Sequence, residues 1–123
     1  MYPFFSTTML VCTRQLILPT SDGRHVLPIA SIVHIVAEGS YSRLICDEGI
    51  RHLVCRNLGV FETALARLQA AHFYRCHDSH IVDLLKVVKL VRQNGLRAVM
   101  TTGAHVPISR RRTKGFFAAL KAA

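Results

Sequence analysis

Acidic residues are scarce in this sequence, and the last forty residues contain none. Seven Asp and Glu stand against 16 Lys and Arg. Residues 1–83 contain all seven acids and seven of the basic residues, so the formal net charge of +9 resides in residues 84–123. Solvated basic surfaces are usually interspersed with acids. An uncompensated excess of this size favours a polyanionic partner.

The scarcity of acids also argues against catalysis. The only adjacent carboxylates, Asp47 and Glu48, lie in a turn signal. No Gly-rich phosphate loop precedes a helical pattern, and no Gly-x-Ser-x-Gly elbow is present. The histidines near Asp78 and Ser79 are close in sequence only, which is no evidence for the geometry of a catalytic triad. We therefore expect no enzymatic activity.

Cysteine is too sparse and too irregularly spaced for a disulfide scaffold, and the sequence has no Cys-x-x-Cys pair. The only close cluster of metal-ligand residue types is Cys76, His77 and His80, which lacks a second ligand pair at zinc-finger distance. Arg75 could lower the pKa of the Cys76 thiol and make it a redox handle. An inert, packed thiol is the commoner state, and we expect it here, with no bound metal and no cofactor.

Long apolar runs are absent as well. None approaches the ~20 residues that a membrane-spanning helix requires, and residues 1–12 lack the basic start and small cleavage-site residue of a secretory signal. We expect residues 1–13 to form a poorly ordered arm, or an extra edge strand. Half of the residues are hydrophobic, which is enough to build a core. Residues 14–123 are expected to be one folded, cytoplasmic domain.

Short β-type runs separated by turn signals cover most of the chain. Asp22-Gly23, Asp47-Glu48-Gly49 and Gln93-Asn94-Gly95 each divide a pair of such runs, as in β-hairpins. Pro107 marks the run at 106–108 as an edge strand, because proline cannot donate to a sheet. The sequence thus predicts many short antiparallel strands.

Two segments show a helical period instead. A central helix of about four turns is predicted from apolar residues spaced three and four apart, with Asn57 as its cap: Leu58, Phe61, Leu65 and Leu68. A short terminal helix is predicted after Ser109, with an apolar side of Phe116, Phe117 and Leu120. The predicted fold class is mainly β with minor α.

The basic run from Ser109 to Lys114 is the sharpest functional signal. If Ser109 caps a helix, three arginines fill its first turn. The helix dipole disfavours a cation there, and each one destabilises the helix by ~0.3–1 kcal/mol. A bound anion reverses the sign, because free backbone N–H groups and arginine side chains then converge on phosphate. This placement favours a functional role for Arg111 and Lys114 over a solvated charge run.

Three blocks, in order, resemble those of the LytTR DNA-binding domain family: Ile29–Leu44 (IASIVHIVAEGSYSRL), Phe73–Leu84 (FYRCHDSHIVDL) and Val106–Arg110 (VPISR). The resemblance covers roughly residues 14–120. It implies an elongated set of small antiparallel sheets with one central helix and a short C-terminal helix. It also implies loops that enter successive major grooves of double-stranded DNA at promoters, commonly at paired repeats.

The resemblance assigns candidate DNA contacts residue by residue. Arg110 follows the Pro-x-Ser block and matches an arginine suited to bidentate contact with guanine O6 and N7. Ser42 and Arg43 fall in a loop that the family inserts into a groove. Arg43 suits a phosphate. Either residue could instead be plain polarity at a strand edge.

Three positions depart from the family pattern. Asp78, next to Ser79 in the His-x-Ser block, replaces the usual Asn, Arg or Lys. A carboxylate avoids phosphate, so Asp78 either accepts from cytosine N4 or orders the loop through Ser79 and His77. We favour loop ordering, with His77 structural. Asp83 replaces the usual Asn and Ser31 the usual Asp, which puts the loop-bracing bonds made at both positions in doubt.

The combined interpretation is a transcription regulator that binds double-stranded DNA. It would bind as a monomer on each half-site, with two copies on tandem sites and a possible homodimer on DNA.

Two alternatives stay open. One is a non-specific DNA or RNA binder using only its basic face, although aromatic residues do not interleave with the basic ones as stacking platforms would. The other is a protein-interaction module that has lost DNA contact.

Overall fold

The computed structural model describes residues 14–20 and 23–123. Ten strands follow in order: β1 Gln15–Thr20, β2 Gly23–Pro28, β3 Ile32–Glu38, β4 Tyr41–Cys46, β5 Arg51–Val54, β6 Phe73–His77, β7 His80–Asp83, β8 Val87–Arg92, β9 Leu96–Met100 and β10 His105–Pro107. Two α-helices are described, α1 Leu58–Arg67 between β5 and β6, and α2 Thr113–Ala122 at the end. The expected arm, residues 1–13, lies outside the described residues.

Every described strand pair is antiparallel, and the strands form three small sheets. The first sheet is the hairpin β1-β2, the second has the order β5-β4-β3-β7-β6, and the third has the order β10-β9-β8. Strand β10 is at an edge, as Pro107 predicted. At the β8–β9 turn, Asn94 and Gly95 have φ of 54° and 98°, a left-handed conformation that favours these two residues.

The five-stranded sheet is covered on both faces, by two separate apolar clusters. On one face, α1 and the hairpin β1-β2 bury their apolar residues against β3 and β4; the helix contributes Leu58, Phe61 and Leu65. On the other face, residues of β3 and β7 pack with the three-stranded sheet and α2, whose Phe116 is fully buried. Burial on both sides explains why β3 reads as an almost continuous apolar run.

The two helices begin as local chemistry requires, but in different ways. Asn57 caps α1 as predicted, and its Oδ1 accepts a hydrogen bond from Val60 N at 3.1 Å. Ser109 does not cap α2. It precedes a 3-10 turn, Arg110–Arg112, makes no side-chain cap bond, and its buried Oγ has no partner among the described residues. Helix α2 begins only at Thr113, so the three arginines precede it rather than fill its first turn.

Candidate nucleic-acid interface

The basic 3-10 turn lies against the loop between β6 and β7. Ser109 N donates to the carbonyl of Cys76 at 2.8 Å, and Arg112 Nη1 donates to the carbonyl of Arg75 at 3.2 Å. These bonds join residues more than thirty positions apart and bring together two of the predicted segments. We call the resulting surface, residues 77–79 and 110–114, the basic corner.

Asp78 joins the two halves of the basic corner. Its Oδ1 accepts from Arg111 Nη2 at 2.9 Å and from Arg112 Nη2 at 3.2 Å. The hydrogen bond from Arg111, followed by that from Arg112, lowers the pKa of the Asp78 carboxyl below its usual value. One exposed carboxylate therefore compensates part of the charge of two arginines.

The loop of the basic corner is ordered differently from the sequence-based expectation. Asp78 does not bond Ser79 or His77 through its carboxylate. Instead Ser79 Oγ lies 2.8 Å from Nδ1 of His77 and 2.7 Å from Nδ1 of His80, while the carbonyl of Asp78 accepts from Arg75 Nη2 at 2.7 Å. The Ser79 hydroxyl is thus hydrogen-bonded within the loop. The Asp78 carboxylate pairs with Arg111 and Arg112 instead, contrary to the expectation.

Arg110 and Lys114 differ from the two arginines between them. Both are exposed, and neither forms an ion pair with any residue in the described part of the chain. Arg111 is also exposed, but Asp78 pairs with it. The basic corner therefore presents two uncompensated cations on either side of a partly neutralised pair.

Ser42 and Arg43 lie elsewhere, in strand β4 rather than in a loop, and this corrects the expectation from the resemblance. Ser42 is fully buried, and its Oγ donates to the carbonyl of Arg56 at 2.7 Å, so the hydroxyl does not face solvent. Arg43 is paired with Glu38, with 2.9 Å between Nη2 and Oε1. Arg43 lines a groove with His34, Arg51 and Gly103, which is separate from the basic corner.

Two further residues hold the β6–β7 loop or a nearby turn, and neither role was predicted from the sequence. Arg75 holds the β6–β7 loop through the Asp78 carbonyl and pairs with Glu62 across to α1; no local pattern marks it. Asp83 does brace its turn although it stands where the family has Asn. Its Oδ1 accepts from Leu85 N at 2.9 Å and lies 3.1 Å from Nδ1 of His72.

Cys76 is fully buried, and burial raises the pKa of its thiol to about 12. The thiol is therefore protonated at neutral pH, despite the neighbouring arginines, as the expected inert state requires.

Within the described residues, no group of three or more His, Cys, Asp or Glu is placed to hold a metal ion. None of the helices in that part of the chain is long and apolar enough to cross a membrane.

Two histidines next to the basic corner, the buried His34 and the half-buried His80, should make stability depend on pH. Burial, with Arg51 adding to it at His34, lowers the pKa of His34 to about 4; burial, then the charges of His34, His77 and Arg97, lowers that of His80 to about 4. Unfolding returns both groups to about 6.5. The unfolded chain therefore binds more protons between pH 6.5 and 4, and stability should fall as the pH drops through that window.

The measurement is urea denaturation at several pH values between 7.5 and 4.5. A His80→Gln variant should show a shallower loss of stability with acid. The matched control is His105→Gln, since His105 is exposed and should retain the slope of the parent. A free energy of unfolding that stays constant from pH 6.5 to 4.5 would contradict the burial of these neutral imidazoles.

Comparison with known proteins identifies the family of this chain. The sequence model of the LytTR DNA-binding domain matches residues 22–121, most of the chain. The chain belongs to the LytTR DNA-binding domain family. This is a family of DNA-binding domains rather than of enzymes, and the resemblance noted in the sequence is confirmed.

The fold is confirmed as well. The solved LytTr DNA-binding domain of a response regulator from Bacillus cereus superposes with a TM-score of 0.71 at 23% identity, over 86% of this chain and 95% of that one. At that identity the likeness concerns the fold alone. No curated protein sequence matches the chain. This LytTR domain therefore has the expected mainly β architecture of small antiparallel sheets with two helices.

Proposed function

We propose that this LytTR domain binds double-stranded DNA sequence-specifically through the basic corner and regulates transcription in the cytoplasm, without a cofactor. The observation that carries the proposal is the exposure of Arg110 and Lys114, both without an ion pair among the described residues, beside the β6–β7 loop. Arginine suits bidentate contact with a guanine edge, whereas lysine is a flexible point charge for phosphate. The loop and the turn together enter the major groove.

The other candidate residues take secondary roles in this proposal. Arg111 reaches a phosphate when DNA competes with Asp78 for its guanidinium, and Arg43 likewise when it leaves Glu38. Ser79 positions the loop through His77 and His80. Ser42 makes no contact with DNA, because its buried hydroxyl is bonded to the Arg56 carbonyl. On paired repeats, one domain occupies each half-site, so that two copies bind tandem sites.

The test is selection of binding sites from fragmented genomic DNA, followed by gel-shift competition with duplex, single-stranded DNA and RNA. A recovered motif and preferential competition by its duplex would support the proposal. Equal competition by all three polymers would establish a non-specific nucleic-acid binder. Failure to bind any duplex at low salt, with a tight protein partner recovered instead, would establish an interaction module.

Asp78→Asn is expected to tighten DNA binding generally. The substitution removes a negative charge that faces the duplex and releases Arg111 and Arg112 from their carboxylate partner. If one released arginine contacts a further phosphate, the slope of log affinity against log salt should steepen by about one. The measurement is a salt titration of binding to a selected site and to an unrelated duplex.

Asp47→Asn is the matched control for this experiment. Asp47 is also an exposed carboxylate paired with a cation, Lys86 at 3.1 Å, and its substitution changes the net charge equally. It lies outside the basic corner, so we expect its salt slope to match the parent. Weaker binding by Asp78→Asn, confined to sites with one particular base pair, would instead show that Asp78 reads cytosine.

A further inference from the structure

The loop between β6 and β7 holds the ring of His77 through one of its two nitrogens. The backbone N–H of Ser79 donates to Nδ1 of His77 at 3.2 Å, and the Ser79 hydroxyl lies 2.8 Å from the same atom. A backbone N–H can only donate, so Nδ1 carries no proton and acts as an acceptor. The ring proton of His77 is therefore on Nε2.

The ring of His80 agrees with this assignment. The Ser79 hydroxyl lies 2.7 Å from Nδ1 of His80 as well, and a hydroxyl has one proton to donate and lone pairs to accept with. When Oγ donates to Nδ1 of His77 and accepts from an N–H at Nδ1 of His80, all three atoms are satisfied. Burial lowers the pKa of His80 to about 4, so that ring is neutral at neutral pH and holds its single proton on Nδ1.

Nε2 of His77 is a donor that reaches the surface without a partner. It makes no hydrogen bond within residues 14–20 and 23–123, and it is not one of the buried polar atoms of that part of the chain. The side chain as a whole is half-buried. The loop therefore holds the ring in one orientation and leaves one N–H at its accessible edge.

This donor lies in the basic corner, beside the turn that carries Arg110. Ser109 N donates to the Cys76 carbonyl at 2.8 Å, so the residues that directly follow these two, Arg110 and His77, start from neighbouring points of the backbone. A phosphate is reached by a flexible cation such as Lys114 without any fixed orientation. A single donor held in one orientation suits the edge of a base instead, and in the major groove N7 of guanine or adenine accepts one N–H.

We propose that His77 recognises a purine, donating from Nε2 to N7 in the major groove at a base other than the one contacted by Arg110. The inference rests on the proposed function, since it requires a duplex bound through the basic corner. His77 would distinguish purine from pyrimidine at this position without separating guanine from adenine, because both purines present N7 and pyrimidines have none.

The first test needs no variant of His77. Affinity for the selected site is measured with each purine replaced in turn by its 7-deaza analogue, in which a C–H group takes the place of N7. We expect the parent to lose about three- to tenfold at one purine that remains sensitive in Arg110→Ala. If the parent binds specifically but no such purine exists, this inference is wrong and the proposed function stands. A parent that binds no duplex specifically contradicts both.

Two variants separate contact with DNA from bracing of the loop. In His77→Asn the amide oxygen takes the place of Nδ1 and still accepts from Ser79, but no donor reaches the position of Nε2. In His77→Gln the amide nitrogen reaches about as far as Nε2, but the acceptor for Ser79 is lost. We expect His77→Asn to lose about three- to tenfold on the natural site and to become indifferent to the 7-deaza analogue at that purine. His77→Gln should retain the preference for a purine there.

His105→Asn is the matched control, since His105 is exposed on β10 outside the basic corner. Its affinity should stay within about twofold of the parent. Full affinity and unchanged 7-deaza sensitivity in His77→Asn, with a loss in His77→Gln, would show that His77 only braces the loop. A salt slope reduced by about one in His77→Asn would place its contact on a phosphate. Either result overturns the proposal.

Discussion

Leu65→Ala is expected to destabilise the domain by about 2–5 kcal/mol, which approaches the whole stability of many domains of this size. Leu65 is 3% exposed and lies in the cluster that joins α1 to the five-stranded sheet. Truncation removes buried apolar contact and leaves a cavity that the surrounding strands fill only in part. Urea denaturation followed by circular dichroism measures the loss as a lower midpoint at an unchanged slope.

Val60→Ala is the matched control on the same helix. Val60 is 45% exposed, so its truncation should change the free energy of unfolding by less than about 1 kcal/mol. One outcome would contradict this core role of Leu65. If Leu65→Ala keeps the stability of the parent but abolishes self-association, the leucines of α1 form a dimer surface rather than a core.

The parts of the fold that were predictable from sequence depend on local chemistry. The position of α1 followed from Asn57 and from apolar residues three and four apart, and both signals act within one or two helical turns. The β8–β9 hairpin followed from Asn94-Gly95, whose backbone preference is intrinsic to the two residues. Such features need no knowledge of what packs against them, and the structure confirms them.

The position of Ser42 could not be deduced in this way. Tyr41 and Ser42 alternate across β4, and sequence does not tell which face is buried when one residue is aromatic and the other polar. The tertiary structure leaves Tyr41 exposed and buries Ser42, because the hydroxyl finds the carbonyl of Arg56, fourteen residues away. The resemblance assigned Ser42 to a loop that contacts DNA. It did not include the hydrogen bond to the Arg56 carbonyl, which accounts for the burial of this side chain.

The same limit applies to Asp78. Its neighbours in sequence, His77 and Ser79, were the natural partners to consider, since short polar side chains often bond locally. The actual partners, Arg111 and Arg112, are 33 and 34 residues away. Their approach depends on the bond of Ser109 N to the Cys76 carbonyl, a product of how the third sheet and α2 pack on β6. The basic corner is thus a tertiary feature, predictable in its residues but not in its internal pairing.

Arg110→Ala and Lys114→Ala are expected to impair DNA binding in different ways. Both side chains are exposed and lack an ion pair among the described residues, so neither substitution should disturb the core. Arg110→Ala should cost ~1–3 kcal/mol on the selected site and flatten discrimination at one base pair, because a bidentate guanidinium reads guanine. Lys114→Ala should weaken binding to all sequences alike and reduce the salt slope by about one, because it contacts phosphate alone.

The measurement is a salt titration of each variant on the selected site and on its single-base mismatches. If about five of the nine basic residues in 84–123 engage phosphates, the parent slope should be near −4.5. Lys121→Ala is a further control, since Lys121 lies at the far end of α2 from the basic corner. If Arg110→Ala behaves like Lys114→Ala, with uniform loss and intact discrimination, Arg110 grips the DNA backbone. Sequence would then be read by another part of the surface, because the remaining cations of the corner are held by Asp78 or suited to phosphate.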